Sequence, residues 1–265
     1  TPSNSSAASD VYKRQQLYNS FQSSKARKEK EMWSNIQDIN PREFRGRRLS
    51  EEKILELFNL CDAVWLHDGD PRKPHAELTS GKCSNGFFDC MRVLKHPNLC
   101  EILARQLAKR IREEGVGSRI DWVIGSPYAG ITFSYEVARV FQAIHGFPEK
   151  DPSDPKGKRF VWQRLTIPAG ANVLQVEELI TTARTLQEVR RAITEGNPEP
   201  VNWIPIVGTL VHRPPKLPVE YNNIKVVALV EREIWAVEPD ECPLCKRGSP
   251  RYRPKSHWRE LTGKA

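Results

Sequence analysis

Apolar residues recur along the chain in short blocks, and the spacing within each block predicts its element. Ser50-Glu51-Glu52-Lys53 reads as a helix start, with a hydroxyl cap and acids in the first turn. Ile54, Leu55, Leu57, Phe58 and Leu60 then give that helix a broad apolar face, and the ordered domain is expected to begin here. Leu99, Ile102, Leu103, Leu107 and Ile111 repeat at core spacing and predict a helix from Pro97 to Glu114. Asp121-Trp122-Val123-Ile124-Gly125 is a short buried strand, which Ser126-Pro127-Tyr128-Ala129-Gly130 turns into a helix from Ile131 to Ile144. Three prolines and dense charge predict a mobile loop between Gly146 and Lys158. A strand near Phe160–Leu165, the turn Pro168-Ala169-Gly170 and a strand over 172–177 follow. A helix from Ala183 to Thr194 and strands over Trp203–Leu210 and Ile224–Val230 complete the order. No internal repeat is visible. Strands separated by helical patterns predict an α/β fold with a mostly parallel central sheet of about five strands flanked by helices. A small hood is expected from residues 65–90, with the C-terminal tail a candidate addition to it.

Composition refines this picture. The 265 residues suit one large domain, or one domain with long tails. Only 38% are hydrophobic, so not all of the chain is expected to pack. Lys and Arg outnumber Asp and Glu by 10 to 5 over residues 1–50 and by 7 to 3 over 240–265, so the net charge of +8 belongs to the ends. Basic tails can touch nucleic acid. Solvated tails are the favoured reading, because no aromatic residue is interleaved within Lys25–Lys30 or Arg45–Arg48 as a base-stacking platform requires. The six cysteines are scattered and no signal-peptide pattern precedes them, which predicts a reducing cytoplasm. No apolar run approaches the roughly 18 residues that a membrane span needs.

Residues 5–15 resemble the in-frame translation of a transposon-type sequencing adaptor. Residues 1–15 are therefore expected to be an assembly artefact, with the true N-terminus missing. The expected organisation is a basic polar segment over 16–49, the main domain over 50–235, and a tail over 236–265 that carries Cys242-Pro243-Leu244-Cys245.

The candidate chemistry lies in Val173-Leu174-Gln175-Val176-Glu177-Glu178-Leu179-Ile180-Thr181-Thr182-Ala183-Arg184-Thr185. In open α/β sheets, ligands bind beyond the carboxyl ends of the strands, and Glu177 and Glu178 occupy such an end. Burying both charges in a core would cost too much, but carboxylates can accept hydrogen bonds from a vicinal diol. The hydroxyl-rich turn that follows opens a helix, whose free N–H groups and dipole favour a phosphate. A diol beside a phosphate describes a ribose 5-phosphate.

This stretch resembles the signature of the type I phosphoribosyltransferases: a strand, two acids, two apolar residues and a Thr/Gly-rich turn. Two further segments resemble the orotate phosphoribosyltransferase branch, namely Leu78-Thr79-Ser80-Gly81-Lys82-Cys83-Ser84-Asn85-Gly86-Phe87-Phe88-Asp89 and Gly125-Ser126-Pro127-Tyr128-Ala129-Gly130-Ile131. The resemblance covers about residues 51–235. It implies transfer of ribose 5-phosphate from phosphoribosyl pyrophosphate (PRPP) to a base, assisted by Mg2+ bound through the substrate, in a homodimer whose loop can reach the neighbouring site. It also implies roles for individual residues. Glu177 and Glu178 would hold the ribose hydroxyls, and Thr181, Thr182, Ala183, Arg184 and Thr185 the 5-phosphate. Ser126, Pro127, Tyr128, Ala129 and Gly130 would border the pyrophosphate, and Lys82 would add charge near it. Phe87 and Phe88 would face the base. Lys156, Lys158, Arg159 and Arg164 are the candidates for a closing loop cation.

Departures from the family pattern qualify these roles. The acids are Glu-Glu where Asp-Asp or Glu-Asp is usual, and Ala183-Arg184 stands where Gly is usual. Transfer to another base, and a non-catalytic relative that senses PRPP, remain alternatives. Other motifs have plainer readings. Either phenylalanine could be a core residue. No pair of histidines has metal-ligand spacing. Cys242 and Cys245 form a lone Cys-x-x-Cys, for which a simple turn is preferred to zinc, the missing ligands being sought at His257, at Cys61 or on a second subunit. The tail is expected to dock through Trp258.

Overall fold

The computed structural model describes residues 35–116, 119–217, 219 and 221–264. The adaptor-like stretch and most of the basic N-terminal segment lie outside the described residues. The chain divides into the units Thr1–Asn40 and Pro41–Ala265. The described part of the first holds a 3-10 turn, Ile36–Asp38, capped by Asn35, whose side chain accepts from the Gln37 N–H.

In the second unit the elements follow in chain order. They are α1 (Glu51–Leu60), β1 (Val64–Leu66), β2 (His75–Glu77), β3 (Cys83–Ser84), β4 (Gly86–Phe88), α2 (Cys90–Leu94), α3 (Pro97–Glu113), β5 (Trp122–Gly125), α4 (Ala129–Phe141) and β6 (Ile144–Gly146). There follow β7 (Glu149–Lys150), β8 (Phe160–Val161), β9 (Asn172–Ile180), α5 (Arg184–Gly196), β10 (Asn202–His212), β11 (Lys225–Glu231), β12 (Ala236–Val237), β13 (Arg251–Tyr252) and α6 (Trp258–Thr262). Ser50 caps α1 by accepting from the Lys53 N–H at 3.4 Å, and the helix buries Ile54, Leu57 and Phe58.

The main sheet runs β11-β10-β9-β5-β6 and every pairing in it is parallel. A parallel sheet needs cover on both faces, and alternation along β10 shows how it is met. Val207 packs with Leu186 of α5, while Gly208 faces α3. A Cβ at Gly208 would lie 3.0 Å from Ile111 Cδ1 and 3.1 Å from Leu107 Cδ2, so glycine sets how closely α3 approaches the strand. On the α5 face, Trp122, Ile124 and Val173 pack with Trp162, Val189 and Ile193.

Several elements differ from the sequence pattern. β9 continues to Ile180 because β10 still pairs with it there. The expected strand over 160–165 shrinks to the two residues of β8. The expected mobile loop is a hairpin, β7 with β8. Pro148 precedes β7, Pro152 and Pro155 sit in the turn, where no ladder bond is needed, and the acids there cap backbone. Asp154 Oδ2 accepts from the N–H groups of Lys158 (2.6 Å) and Arg159 (2.8 Å). The helix before it stops at Phe141, with Gln142 left-handed at φ 57°, and the chain then forms β6. The hood is a second sheet, β12-β3-β2-β13, beside the pair β1-β4, so the C-terminal tail is built into it. Among the described residues no helix is long and apolar enough to cross a membrane.

Phe88 meets Phe58 edge-to-face at 5.4 Å and is almost fully buried. Phe88→Ala is expected to lower unfolding free energy by about 3–5 kcal/mol in urea titration; a loss below about 1 kcal/mol would contradict its place in the core.

Candidate active site

The site begins with unequal strand lengths. β5 makes its last pairing with β9 at Gly125 opposite Val176. On the other side β9 runs on against β10, pairing Glu177 with Thr209, Leu179 with Val211 and Ile180 with His212. From Glu177 onward, β9 therefore has a neighbour on one edge only. The other edge is open, and the chain leaving β5 turns there through Ser126 and Pro127. The Pro127–Tyr128 peptide is cis.

Successive strand residues face opposite ways, so the two acids straddle β9. Glu177 shares its face with Gln175, whose Nε2 donates to Glu177 Oε1 at 2.8 Å and to Leu186 O of α5 at 3.2 Å. Arg190 Nε in turn donates to Gln175 Oε1 at 3.1 Å, which fixes the amide. Glu178 faces α4. A Cβ at Gly130 would lie 3.2 Å from Glu178 Oε2 and 2.6 Å from Ser126 Oγ, so the start of α4 approaches this closely only as glycine. The Ser126 hydroxyl lies beside both carboxyls and favours their ionised form.

Among the described residues neither acid has a cationic partner. Burial, and then the neighbouring Glu178 charge, push Glu177 up to about 8 against the Ser126 hydroxyl and the hydrogen bond from Gln175. Burial raises Glu178 as well.

Beyond Ile180 the chain turns into α5. Ala183 precedes the helix in the left-handed region (φ 55°, ψ 16°) and offers no side-chain cap. The first-turn N–H groups thus have no partner within the helix. The family pattern places glycine here; alanine adopts the same backbone conformation at a cost of about 1 kcal/mol. Its methyl is buried with Ile180, Leu186, Val207 and Tyr221, which offsets part of that cost. The turn is held from below. Tyr221 Oη donates to Thr181 O at 2.9 Å and lies 3.2 Å from His212 Nε2, and His212 Nδ1 meets Glu231 Oε1 at 2.9 Å. Nothing in the sequence spacing marks Tyr221 or His212 as supports, because the topology brings them there from β10 and the segment before β11.

Between these parts lies a cleft of about 320 Å³. It is bordered by Ser126 and Pro127, by Glu177 and Glu178, by Arg184 and Thr185 at the start of α5, and by Lys150 and Lys158 from the hairpin. Lys150 is absent from the sequence-based candidates; its ammonium also sits 5.0 Å over the Tyr128 ring. Tyr128 is exposed at the rim, and Ala129 and Gly130 open α4. Thr181, Thr182 and Ala183 form the turn behind the cleft.

Other expected residues lie elsewhere. Arg159 pairs with Asp151 at 3.5 Å and lines an adjoining basic groove with Lys156, Lys158 and Arg184. Arg164 pairs with Glu149 at 2.5 Å beside an apolar groove that includes Tyr128, Phe147 and Trp162. Lys82 belongs to the hood and pairs with Glu238 at 3.0 Å. Phe88 faces the core. Phe87 lies 6.4 Å from the Trp258 ring, which also carries the Arg92 guanidinium at 4.8 Å. Neither phenylalanine borders the cleft.

The acid pair lies at an open strand end, where parallel α/β sheets bind ligands, and beside an uncapped helix start, which favours an anion. The chain belongs to the phosphoribosyl transferase domain family, whose model matches residues 91–245. It is 32% identical over 208 residues to the orotate phosphoribosyltransferase of Caldanaerobacter subterraneus subsp. tengcongensis, covering 78% of this chain and 98% of that protein. It is 34% identical over 194 residues to the orotate phosphoribosyltransferase of Pelotomaculum thermopropionicum, covering 73% of this chain and 95% of that protein. Among solved structures, the orotate phosphoribosyltransferase from Aeropyrum pernix is similar over 67% of this chain and 93% of that chain, at 16% identity and a TM-score of 0.46.

The raised Glu177 carboxyl has a consequence for stability. An unfolded glutamate ionises near its ordinary value of 4.5, whereas the buried one holds its proton to about 8. Between those values the folded state binds more protons than the unfolded state, so this group's contribution to stability falls as pH rises. The melting temperature of the ligand-free wild type relative to Glu177→Gln is expected to drop steadily from pH 5 to pH 8.5. A constant difference across that range would rule out a buried, proton-holding Glu177.

Proposed function

We propose that this phosphoribosyltransferase moves ribose 5-phosphate from PRPP to orotate, forming orotidine 5'-monophosphate and pyrophosphate. The observation that carries the reading is the cleft itself, bordered by the buried Glu177, the half-buried Glu178 and the uncapped start of α5, with no cationic partner on either acid among the described residues. The choice of orotate rests on the relatives, named orotate phosphoribosyltransferases, that match most of the chain.

In this reading Glu177 and Glu178 accept hydrogen bonds from the ribose hydroxyls, one from each face of β9. The N–H groups at the start of α5, the Thr185 hydroxyl and the Arg184 guanidinium bind the 5-phosphate. Ser126 and Pro127 border the pyrophosphate, with Lys150 and Lys158 as its cations. The C1–oxygen bond to pyrophosphate breaks as the base nitrogen bonds to C1, and the positive charge that develops on the sugar lies beside the acid pair. Positioning and charge placement then supply most of the rate enhancement. Paired carboxylates lacking a cation fit Mg2+ carried in on the substrate, so Glu177 and Glu178 are the residues that would hold it, directly or through water. When bound, magnesium neutralises charge on the departing pyrophosphate.

A homodimer is part of the proposal. Tyr135, Ile144 and Phe147 are exposed at and beside the edge strand β6, which supports an apolar contact there. None of the six cysteines is in a disulfide, which is consistent with the proposed reducing cytoplasm. The main domain is proposed to start near residue 50 and run to about 235, with the tail folded onto the hood.

Purified protein with Mg2+, PRPP and each of orotate, uracil, adenine, guanine, hypoxanthine and xanthine is expected to release pyrophosphate with orotate alone. Release with another base would reassign the substrate, and PRPP binding without release for any base would make the chain a sensor. Glu178→Gln is expected to weaken PRPP binding by roughly 1–3 kcal/mol. Unchanged affinity in titration calorimetry would remove Glu178 from the sugar site.

A further inference from the structure

The lone Cys-x-x-Cys of the tail is not alone in three dimensions. His75 of β2 and Cys83 of β3 meet Cys242 and Cys245, and the ligand atoms of all four lie within 4.8 Å of one another. His75 Nε2 is 3.6 Å from Cys242 Sγ and 3.4 Å from Cys245 Sγ, and Cys245 Sγ is 3.5 Å from Cys83 Sγ. Tetrahedral zinc with Zn–S and Zn–N bonds of ordinary length separates its ligand atoms by about 3.5–3.8 Å. A disulfide would need two sulfurs at about 2.05 Å and would leave the third thiol and the ring nitrogen without purpose.

The surroundings are arranged for a metal. Ser249 Oγ donates to Lys73 O at 2.7 Å, so its single hydrogen is already committed. Its 2.8 Å contact with His75 Nδ1 must therefore be a bond donated by the ring. That leaves Nε2 with a bare lone pair aimed at the sulfurs, the tautomer a metal-binding histidine requires. The Cys245 N–H points at Cys242 Sγ at 3.4 Å, and Arg251 Nη1 at Cys83 Sγ at 3.9 Å. Three thiolates around a divalent ion carry one net negative charge, and Arg251 balances it. Gly248 follows at φ 80°, the left-handed residue that closes the turn after Cys245. His75, Cys83 and Cys242 are fully buried, so no open position remains for substrate.

We propose that His75 Nε2 and the sulfurs of Cys83, Cys242 and Cys245 hold one structural zinc ion that fastens the C-terminal tail to the hood. The soft S3N donor set and closed tetrahedron select zinc over magnesium or calcium. The ion does what the backbone here cannot. β2, β3, β12 and β13 have two or three residues each, too few to hold a sheet together unaided. The ligands join segments about 160 residues apart in the chain, so one ion fixes the hairpin carrying Lys82 against the segment carrying Glu238 and brings Trp258 over Phe87. This assignment stands apart from the sugar-phosphate cleft and holds whichever base is the substrate.

The test uses the untagged full chain, purified without chelator from zinc-supplemented medium, with metal counted by mass spectrometry. One zinc per chain is expected, and cobalt exchanged into the protein should show the intense visible bands of a tetrahedral thiolate site. Cys83→Ser and Cys242→Ser should lose those bands, while Cys61→Ser and Cys100→Ser should keep them. Chelation of the wild type should make residues 70–85 and 236–264 the first to be cut by protease. Wild-type protein that carries almost no zinc and takes up no cobalt after reduction would overturn the proposal, as would undiminished cobalt bands in Cys83→Ser. The wild-type measurements decide the matter even if a variant fails to fold.

Discussion

The cleft depends on a mismatch between two adjacent strands. β9 runs four residues past the end of β5 while keeping its pairing with β10. The surviving pairs hold Glu177 and Glu178 rigidly, and the missing ones expose the strand edge where a ligand can reach both. Had β5 continued, its backbone would fill the space that the cleft now occupies. Had β9 stopped with β5, the acids would sit on a loop with no fixed direction. One ladder with one absent neighbour thus positions two carboxylates and the helix start that follows them.

Such placement costs stability. Two acids are desolvated beside each other without a cation, and Ala183 holds a left-handed backbone at the mouth of α5. Folded chains tolerate features of this kind where a ligand relieves them. The supporting hydrogen bonds lie where these costs fall. Arg190 holds Gln175, Gln175 holds Glu177, and Tyr221 with His212 holds the 181–183 turn, so both Glu177 and the strained turn are braced.

The central sheet could be read in the sequence because its strands are unbroken apolar runs and its helices carry apolar stripes, both local signals. The acid pair and the following turn were legible for the same reason, as they are contiguous. What escaped were features made by distant segments or by very short strands. The hood strands have two or three residues, below the length at which alternation means anything. The hairpin over 149–161 looked like a loop because its prolines and acids serve the turn rather than a ladder. Phe88 beside Ser-Gly-Lys looked like a site residue, yet strand alternation turns it to Phe58. His75 and Cys83 share no spacing with Cys242 and Cys245, so the fourfold cluster exists only once the chain is folded.

The most direct test of the acid pair is the proton balance of PRPP binding. If Glu177 meets the sugar hydroxyls as a carboxylate, it gives up a proton as the ligand enters, because in the free protein it holds that proton to about pH 8. Titration calorimetry at pH 7 in buffers of different ionisation enthalpy counts that proton. Wild type should release nearly one proton more than Glu177→Gln on binding PRPP with Mg2+. Equal proton counts for the two proteins would contradict the account.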